Sequence, residues 1–145
     1  MTLIPDTGGA CSTWADLERF AYRGNILELR YQAEPPHGDF LYSLTLPADR
    51  SECRLPLWIF GRSLFFFGPS FLLAESVPAG SCSGLNSVIV DLALARYFCL
   101  DGWYRSPRFT GWELLLARFR DGAPLRLDLS VPLAWRKFDC GGGPL

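Results

Sequence analysis

The sequence contains few of the residues on which most enzymes and metal sites depend. His37 is the only histidine among 145 residues, and it lies in a loop segment with two prolines and a glycine. A serine or cysteine nucleophile activated by histidine would have to use His37 as its base. The alternative is a solvated turn histidine without a catalytic role. We therefore predict no catalytic residues.

The cysteines lack the spacing that is typical of a metal site. None of the five forms a C-x-x-C pair, and no second histidine is present to complete a zinc site. Glycine-rich phosphate-binding motifs are absent as well. The sequence thus predicts neither a metal nor another cofactor. Because their number is odd and their spacing wide, we expect free thiols in a reducing compartment. They are Cys11, Cys53, Cys82, Cys99 and Cys140.

The chain also lacks an excess of charge of either sign. Its formal net charge is −1, and Lys137 is the only lysine. A dedicated nucleic-acid-binding protein usually has a basic balance, so this class is not expected. The first residues show no basic segment followed by an apolar run, which is the pattern of a signal peptide. We therefore expect a cytoplasmic location.

The most apolar stretch, residues 58–73, is too short and too interrupted for a membrane helix. A spanning helix needs roughly 20 mostly apolar residues, and Arg62 and the pair Gly68-Pro69 break this run. We predict a β-hairpin turn at Gly61-Arg62 instead, and no membrane association. Because the run is apolar on both faces of its strands, we expect a helix on one face and another layer or partner on the other. The predicted strands are 57–60, 63–67 and 71–75.

Two segments have the residue spacing of amphipathic helices. The first is predicted over 13–23, with a cap at Ser12 or Thr13 and an end at Gly24. The second is predicted over 84–100, where apolar residues recur at intervals of three and four. The residues that define its apolar face include Leu85, Val88, Ile89, Leu92, Ala95 and Cys99.

Alternating apolar and polar residues predict the remaining strands. The segments 25–32 and 40–46 are expected to form an antiparallel pair across a proline-rich loop. The segments 112–120 and 125–131 are expected to form a hairpin, because an Asp-Gly pair between two such strands is a strong turn signal. A short edge segment is predicted over 135–138.

These elements predict an α+β fold in one domain over 12–140. We expect a single antiparallel β-sheet of about five to seven strands packed against the long helix, with the short helix at the N-terminal end. Residues 1–11 and the glycine-rich tail 141–145 show no periodicity and are expected to be flexible.

The surplus of aromatic residues is the strongest indication of function. Aromatic residues make up 14% of the chain, and residues 103–112 combine Trp, Tyr and Arg in a segment predicted to be irregular. These residue types are enriched at binding hot spots, because they bury a large area and retain a polar group. The alternative is that the segment folds back onto the core. The predicted partner-binding residues are Trp103, Tyr104, Arg105, Arg108, Phe109, Trp112 and Phe66.

The resulting hypothesis is a small, non-enzymatic protein-binding module of the cytoplasm. An immunity protein, an inhibitor and an escort chaperone all fit it, and the partner would be a toxin, an effector or an enzyme. A second hypothesis is a thiol enzyme or an anion or small-ligand binder, with Cys82 at the start of the long helix and His37 nearby. A third is a self-associating structural subunit, such as a homodimer, in which apolar strands pair.

Overall fold

The chain folds into β-strands connected by turns and loops. The computed structural model describes residues 1–47, 52–80, 84–118 and 122–141, and no helix occurs among them. The strands of these ranges are β1 (Thr2–Ile4), β2 (Gly9–Cys11), β3 (Leu17–Tyr22), β4 (Asn25–Ala33), β5 (Leu41–Leu46), β6 (Cys53–Phe60), β7 (Leu64–Phe67), β8 (Phe71–Pro78), β9 (Asn86–Asp91), β10 (Arg96–Cys99), β11 (Tyr104–Thr110), β12 (Glu113–Arg118), β13 (Leu125–Asp128) and β14 (Arg136–Lys137).

The larger of two sheets has 11 strands and forms the body of the molecule. Its main path runs β1-β3-β4-β5-β6-β8-β9-β10-β14, and β7 pairs with both β8 and β2. Neighbouring strands are antiparallel except for the parallel pair β1 and β3. One face of this sheet encloses the main core, whose fully buried members include Tyr22, Tyr42, Phe66 and Ile59.

A second sheet of three strands, β11-β12-β13, packs against the outer face of the larger one. Strand β8 shows how the two layers share residues. Leu72 and Ala74 point into the main core, whereas the alternate residues Phe71 and Leu73 join the core between the sheets. The expectation that these apolar strands are covered on both faces is thus confirmed. The covering layer is a sheet rather than a helix.

The predicted helix over 84–100 is wrong, because this segment forms the hairpin of β9 and β10. Successive residues of β9 are buried on opposite faces, Val88 and Val90 in the main core and Ile89 in the core between the sheets. A strand buried on both faces reads as a continuous apolar run, which also satisfies helical spacing. The turn at residues 92–95 is closed by Asp91, whose carboxylate accepts hydrogen bonds from the backbone N–H groups of Ala93 and Leu94.

The predicted helix over 13–23 is also wrong. Residues 17–22 form β3, which pairs with β4 from Leu17 opposite Arg30 to Tyr22 opposite Asn25. The glycine predicted to end the helix turns the hairpin instead. Arg23 and Gly24 both have positive φ angles, 48° and 83°, the combination that a tight type I′ hairpin turn requires. A left-handed glycine is therefore a signal common to helix ends and hairpins.

The hairpin predicted at Gly61-Arg62 does not form. Strands β6 and β7 both pair with β8, at different parts of its length, and no pairing joins them to each other. Glycine is needed at position 61 because no side chain fits there. A Cβ at Gly61 would lie 2.5 Å from the Tyr42 ring and 2.6 Å from the carbonyl oxygen of Thr13.

Several strand predictions are confirmed. Strands β4 and β5 pair as expected, β12 and β13 form the predicted hairpin, and β14 is an edge segment on β10. The α+β class and the single sheet are nevertheless wrong, because the described chain is all-β with two sheets. Residues 1–11, expected to be flexible, contribute β1 and β2. Asp121 of the predicted turn and residues 142–145 of the tail lie outside the described residues.

A covalent link joins the start of β6 to the C-terminal end of the described chain. Cys53 and Cys140 form a disulfide, and the neighbouring residues Arg54 and Asp139 exchange two backbone hydrogen bonds of 2.8 and 2.9 Å. The expectation of free thiols is therefore wrong for this pair, although Cys11 and Cys99 are free. In the described part of the chain, no helix is long and apolar enough to cross a membrane.

Candidate functional sites at the two ends of β11

The aromatic segment predicted to be irregular is largely strand β11, and a bulge divides it. Its register against β12 shifts between Arg105 and Arg108. Between them Ser106 has a φ of 53°, a left-handed conformation that residues other than glycine seldom adopt. A bulge of this kind bends a strand and redirects its side chains. The N-terminal part of β11 borders one groove, and Trp112, in the turn that follows the strand, borders a second.

The first groove, here called the polar groove, lies at the N-terminal end of β11. It is a cavity of about 560 Å³. Its floor includes Glu75 and Ser87, which lie opposite each other on β8 and β9. Strand β11 is anchored there, because the N–H of Tyr104 donates to the Ser87 hydroxyl at 2.9 Å. The groove is bordered mainly by Trp14, Arg62, Phe65, Trp103 and Arg105.

An ion-pair network holds the groove's charged side chains in place. The Arg62 guanidinium donates through Nε to Glu75 at 2.6 Å and through Nη1 to Asp39 at 2.7 Å. Glu75 is 7% exposed, so its negative charge requires this partner. The hydrogen bond from Arg62 is also the main reason that the pKa of Asp39 lies below its ordinary value. The Asp39 carboxylate is therefore ionised at neutral pH.

Aromatic rings surround the same guanidinium. The central carbon of Arg62 lies 4.3 Å from the centre of the Phe60 ring and 5.7 Å from that of Trp103. The guanidinium of Arg105 lies 4.6 Å from the centre of the Trp103 ring. Cation–π contacts of this kind restrict both partners. The polar groove thus has a rigid wall in which charge and aromatic surface alternate.

The second groove, here called the apolar groove, lies near the C-terminal end of β11. It is a cavity of about 510 Å³ bordered by Phe71, Leu94, Arg96, Trp112 and Leu129, among others. Two of its large apolar side chains are exposed, Leu94 by 61% and Trp112 by 48%. The Trp112 ring meets the ring of Phe71 edge to face at 6.3 Å. This groove therefore combines accessible apolar surface with fixed ring positions.

The predicted partner-binding residues divide between these places. Trp103, Tyr104 and Arg105 border the polar groove, and Trp112 borders the apolar one. Phe109 lies between them and packs on Phe67 at 5.0 Å. Arg108 is exposed on β11. Phe66 is fully buried in the main core, so it offers no surface to a partner in the folded chain.

The alternative thiol site is only partly visible. Cys82 lies outside the described residues. His37 is exposed in its loop, where Nδ1 lies 3.2 Å from an oxygen of Asp39. Of the free thiols, Cys11 has its pKa raised to about 11, mainly by burial and also by Glu18. A thiol with such a pKa is almost wholly protonated at neutral pH. Among the described residues, no three His, Cys, Asp or Glu side chains group to hold a metal.

Four important groove residues were missed by reasoning from sequence. Glu75 interrupts the apolar strand β8, and Arg62 lies between the apolar strands β6 and β7. Such isolated charges are a signal of a buried pair that could have been used. Trp14 and Leu94 lie within the segments 13–23 and 84–100, which were predicted to be helices. In the structure Trp14 precedes β3 and Leu94 lies in the turn after β9, and both are exposed.

Comparison with protein-family models, with curated proteins and with solved structures gives no match for this chain.

Proposed function

We propose that this chain is a non-enzymatic protein-binding module that engages its partner through the apolar groove. The observation that carries the proposal is the pair of exposed side chains Leu94 and Trp112, which border one groove from two different turns. Large apolar side chains gathered at one groove favour association with another protein, because water is then released from them. The partner is a toxin, an effector or an enzyme with an apolar anchor side chain.

The groove is organised before any partner arrives. Trp112 contacts Phe71 and Phe109 edge to face, at 6.3 and 6.5 Å between ring centres. The turn that carries Leu94 is held by Asp91, which accepts hydrogen bonds from Ser70 and from the turn's backbone. Side chains already restricted in the free protein lose less conformational entropy on binding. Tryptophan in a fixed position is also the residue type most enriched at binding hot spots.

Site-specific photo-crosslinking in the native organism tests this proposal. A photoreactive residue at position 94 is expected to capture a specific protein, whereas the same residue at Leu17, exposed by 45% outside both grooves, is not. With the captured protein purified, Trp112→Ala should weaken binding at least about thirtyfold, the equivalent of about 2 kcal/mol. Leu17→Ala should leave the affinity unchanged. Equal capture at both positions, or full affinity of Trp112→Ala, would contradict the proposal.

The cytoplasmic location expected from the sequence stays a prediction, and the Cys53–Cys140 disulfide argues against it. Disulfides persist mainly in oxidising compartments and are rare in the cytoplasm of mesophiles. A partner located outside the cytoplasm would be compatible with the disulfide-bonded protein. Alkylation of free thiols in intact cells, followed by mass spectrometry, tests whether the disulfide forms in the cell: Cys53 and Cys140 should be unmodified if it does.

Self-association is a second candidate, and a specific row of side chains favours it. Leu3, Ala21 and Ile26 lie opposite one another across β1, β3 and β4. Leu3 is 75% and Ile26 44% exposed, and β1 has one strand neighbour among the described residues. An apolar row beside an open strand edge is a common route to dimers. Light scattering should then give a dimer mass that Ile26→Asp reduces to that of a monomer.

A further inference from the structure

We infer that the polar groove is a second binding site, for a neutral polyhydroxylated ligand of the size and shape of a pyranose sugar. This inference is independent of the proposed function, because it uses a different groove. Its volume of about 560 Å³ is within the range of roughly 300–1,000 Å³ that small-molecule sites occupy.

Hydrogen-bonding groups of both kinds face this groove in fixed positions. Glu75 is nine-tenths buried and accepts a hydrogen bond from Arg62 at one oxygen, Oε1. Within the described residues, its other oxygen has no donor. Arg62 uses Nε and Nη1 for its two carboxylates, which leaves Nη2 without an acceptor in the same part of the chain. A ligand with neighbouring hydroxyl groups can donate to Glu75 and accept from Arg62 at the same time.

The balance of charge selects against ionic ligands. A cation would approach the Arg62 and Arg105 guanidinium groups, both of which border the groove. An anion would approach Glu75, whose burial leaves little water to screen the repulsion. A purely apolar ligand would remove water from the Arg62–Glu75 pair without replacing its hydrogen bonds, which is costly. A neutral ligand rich in hydroxyl groups avoids all three penalties.

The aromatic borders supply the other half of sugar recognition. A pyranose ring has one face of C–H groups, and such a face packs well against a tryptophan ring. Trp14 is 52% exposed at the groove, and Trp103 has the guanidinium groups of Arg62 and Arg105 at 5.7 and 4.6 Å from its ring centre. The left-handed Ser106 and the bulge of β11 place the segment 103–107 along the groove. Backbone conformations of this kind occur preferentially at binding sites.

Titration with matched hexoses tests this inference. Methyl glycosides of glucose, galactose and mannose and N-acetylglucosamine serve as neutral probes, glucosamine as the cationic probe and glucuronate as the anionic probe, at about pH 6 where both ionic probes are charged. Saturation-transfer NMR and calorimetry should show binding of at least one neutral probe. Its affinity should exceed that of glucosamine and of glucuronate by about tenfold or more. Failure of every neutral probe, or tighter binding of either ionic probe, would overturn the inference.

Two variants assign the binding to the groove. Trp14→Ala removes an exposed side chain and should weaken sugar binding about tenfold without affecting the fold. Glu75→Gln should also weaken it, and its thermal unfolding is measured in parallel. Arg126→Ala on β13, outside both grooves, should leave sugar binding unchanged. If Trp14→Ala binds the neutral probe as tightly as the unmodified chain, the inference is wrong, whether or not the protein partner has been found.

Discussion

Single buried charges hold the turns and grooves of this molecule in place. Asp91 is the clearest case, because it is 3% exposed although it lies in a strand with apolar neighbours. Its carboxylate accepts hydrogen bonds from the Ser70 hydroxyl at 2.8 Å and from Nε of Arg96 at 3.0 Å. It also accepts from two N–H groups of the following turn. One side chain thereby joins the turn before β8 to the turn before β10.

Replacement of Asp91 by alanine should destabilise the protein strongly. The substitution leaves Ser70 and two backbone N–H groups without their acceptor, and breaking a buried ion pair costs about 3–5 kcal/mol. The free energy of unfolding, measured by urea denaturation, is therefore expected to fall by an amount in or near that range. Asp128→Ala is the control: Asp128 is exposed and bonds only its own turn, so a loss of about 0.5 kcal/mol is expected. Equal losses of unfolding free energy in the two variants would show that the buried contacts of Asp91 do not stabilise the protein.

At the scale of elements, the segment 84–100 shows how one pattern serves two structures. Its apolar residues satisfy helical spacing, yet β-branched residues at Val88, Ile89 and Val90 favour a strand. The tertiary context decides between them, because cores lie on both sides of β9 and each residue of the strand can be buried. The turn then places Ala95 at a φ of 51°, a conformation that no helix contains.

Substitution of Ala95 by glycine distinguishes the hairpin from the helix by the sign of its effect. In a helix, glycine would destabilise by about 1 kcal/mol. In the left-handed position of the hairpin, glycine relieves a strain of about 1–2 kcal/mol and costs about 0.4–1 kcal/mol in entropy of the unfolded chain. We therefore expect a small gain in stability in urea denaturation. Ala93→Gly in the same turn, where φ is not positive, should instead lose stability. A loss in both variants would contradict the hairpin.

At the scale of the whole molecule, a covalent link joins the beginning of β6 to the last described residues. Cys53 and Cys140 are 87 residues apart in sequence, and the residues between them border the apolar groove and, together with Trp14, the polar groove. The adjacent backbone pair of Arg54 and Asp139 attaches the same segment by hydrogen bonds. A crosslink over so long a loop restricts the unfolded chain more than the folded one.

Removal of this disulfide should lower the free energy of unfolding by about 2–5 kcal/mol. The comparison uses Cys53→Ser with Cys140→Ser, unfolded in urea beside the unmodified protein. Cys99→Ser is the matched control, because Cys99 is free and exposed, and it should change stability by no more than about 0.5 kcal/mol. Added reductant should destabilise the unmodified protein and leave the double variant unaffected. Insensitivity of the unmodified protein to reductant would mean that the link contributes no stability.

Local signals allowed part of the fold to be predicted. The pairing of β4 with β5 and of β12 with β13 depends on alternation and turn chemistry between neighbours in sequence, and both predictions are confirmed. The two helices were wrong because Gly24 and the apolar spacing of 84–100 are compatible with either state. Pairings between distant segments, such as β2 with β7, have no local signal at all.

The candidate sites show the same limit. The residue types of 103–112 indicated a binding surface, but in the structure Trp103, Tyr104 and Arg105 border one groove and Trp112 borders another. Arg62 and Glu75 are 13 residues apart in sequence. Their isolated charges indicate burial, but only the pairing of β6 and β7 with β8 shows that the two side chains meet.

The sequence by itself determined that few catalytic groups are present, where the local hairpins form and which residue types are available for recognition. These properties depend on composition or on neighbours within a few residues. Only the tertiary structure decided that the described residues form an all-β fold, that Cys53 joins Cys140, and that charged and apolar side chains separate into two grooves. The physical reason is burial: whether an apolar residue is covered, and from which side, depends on strands that lie far away in sequence.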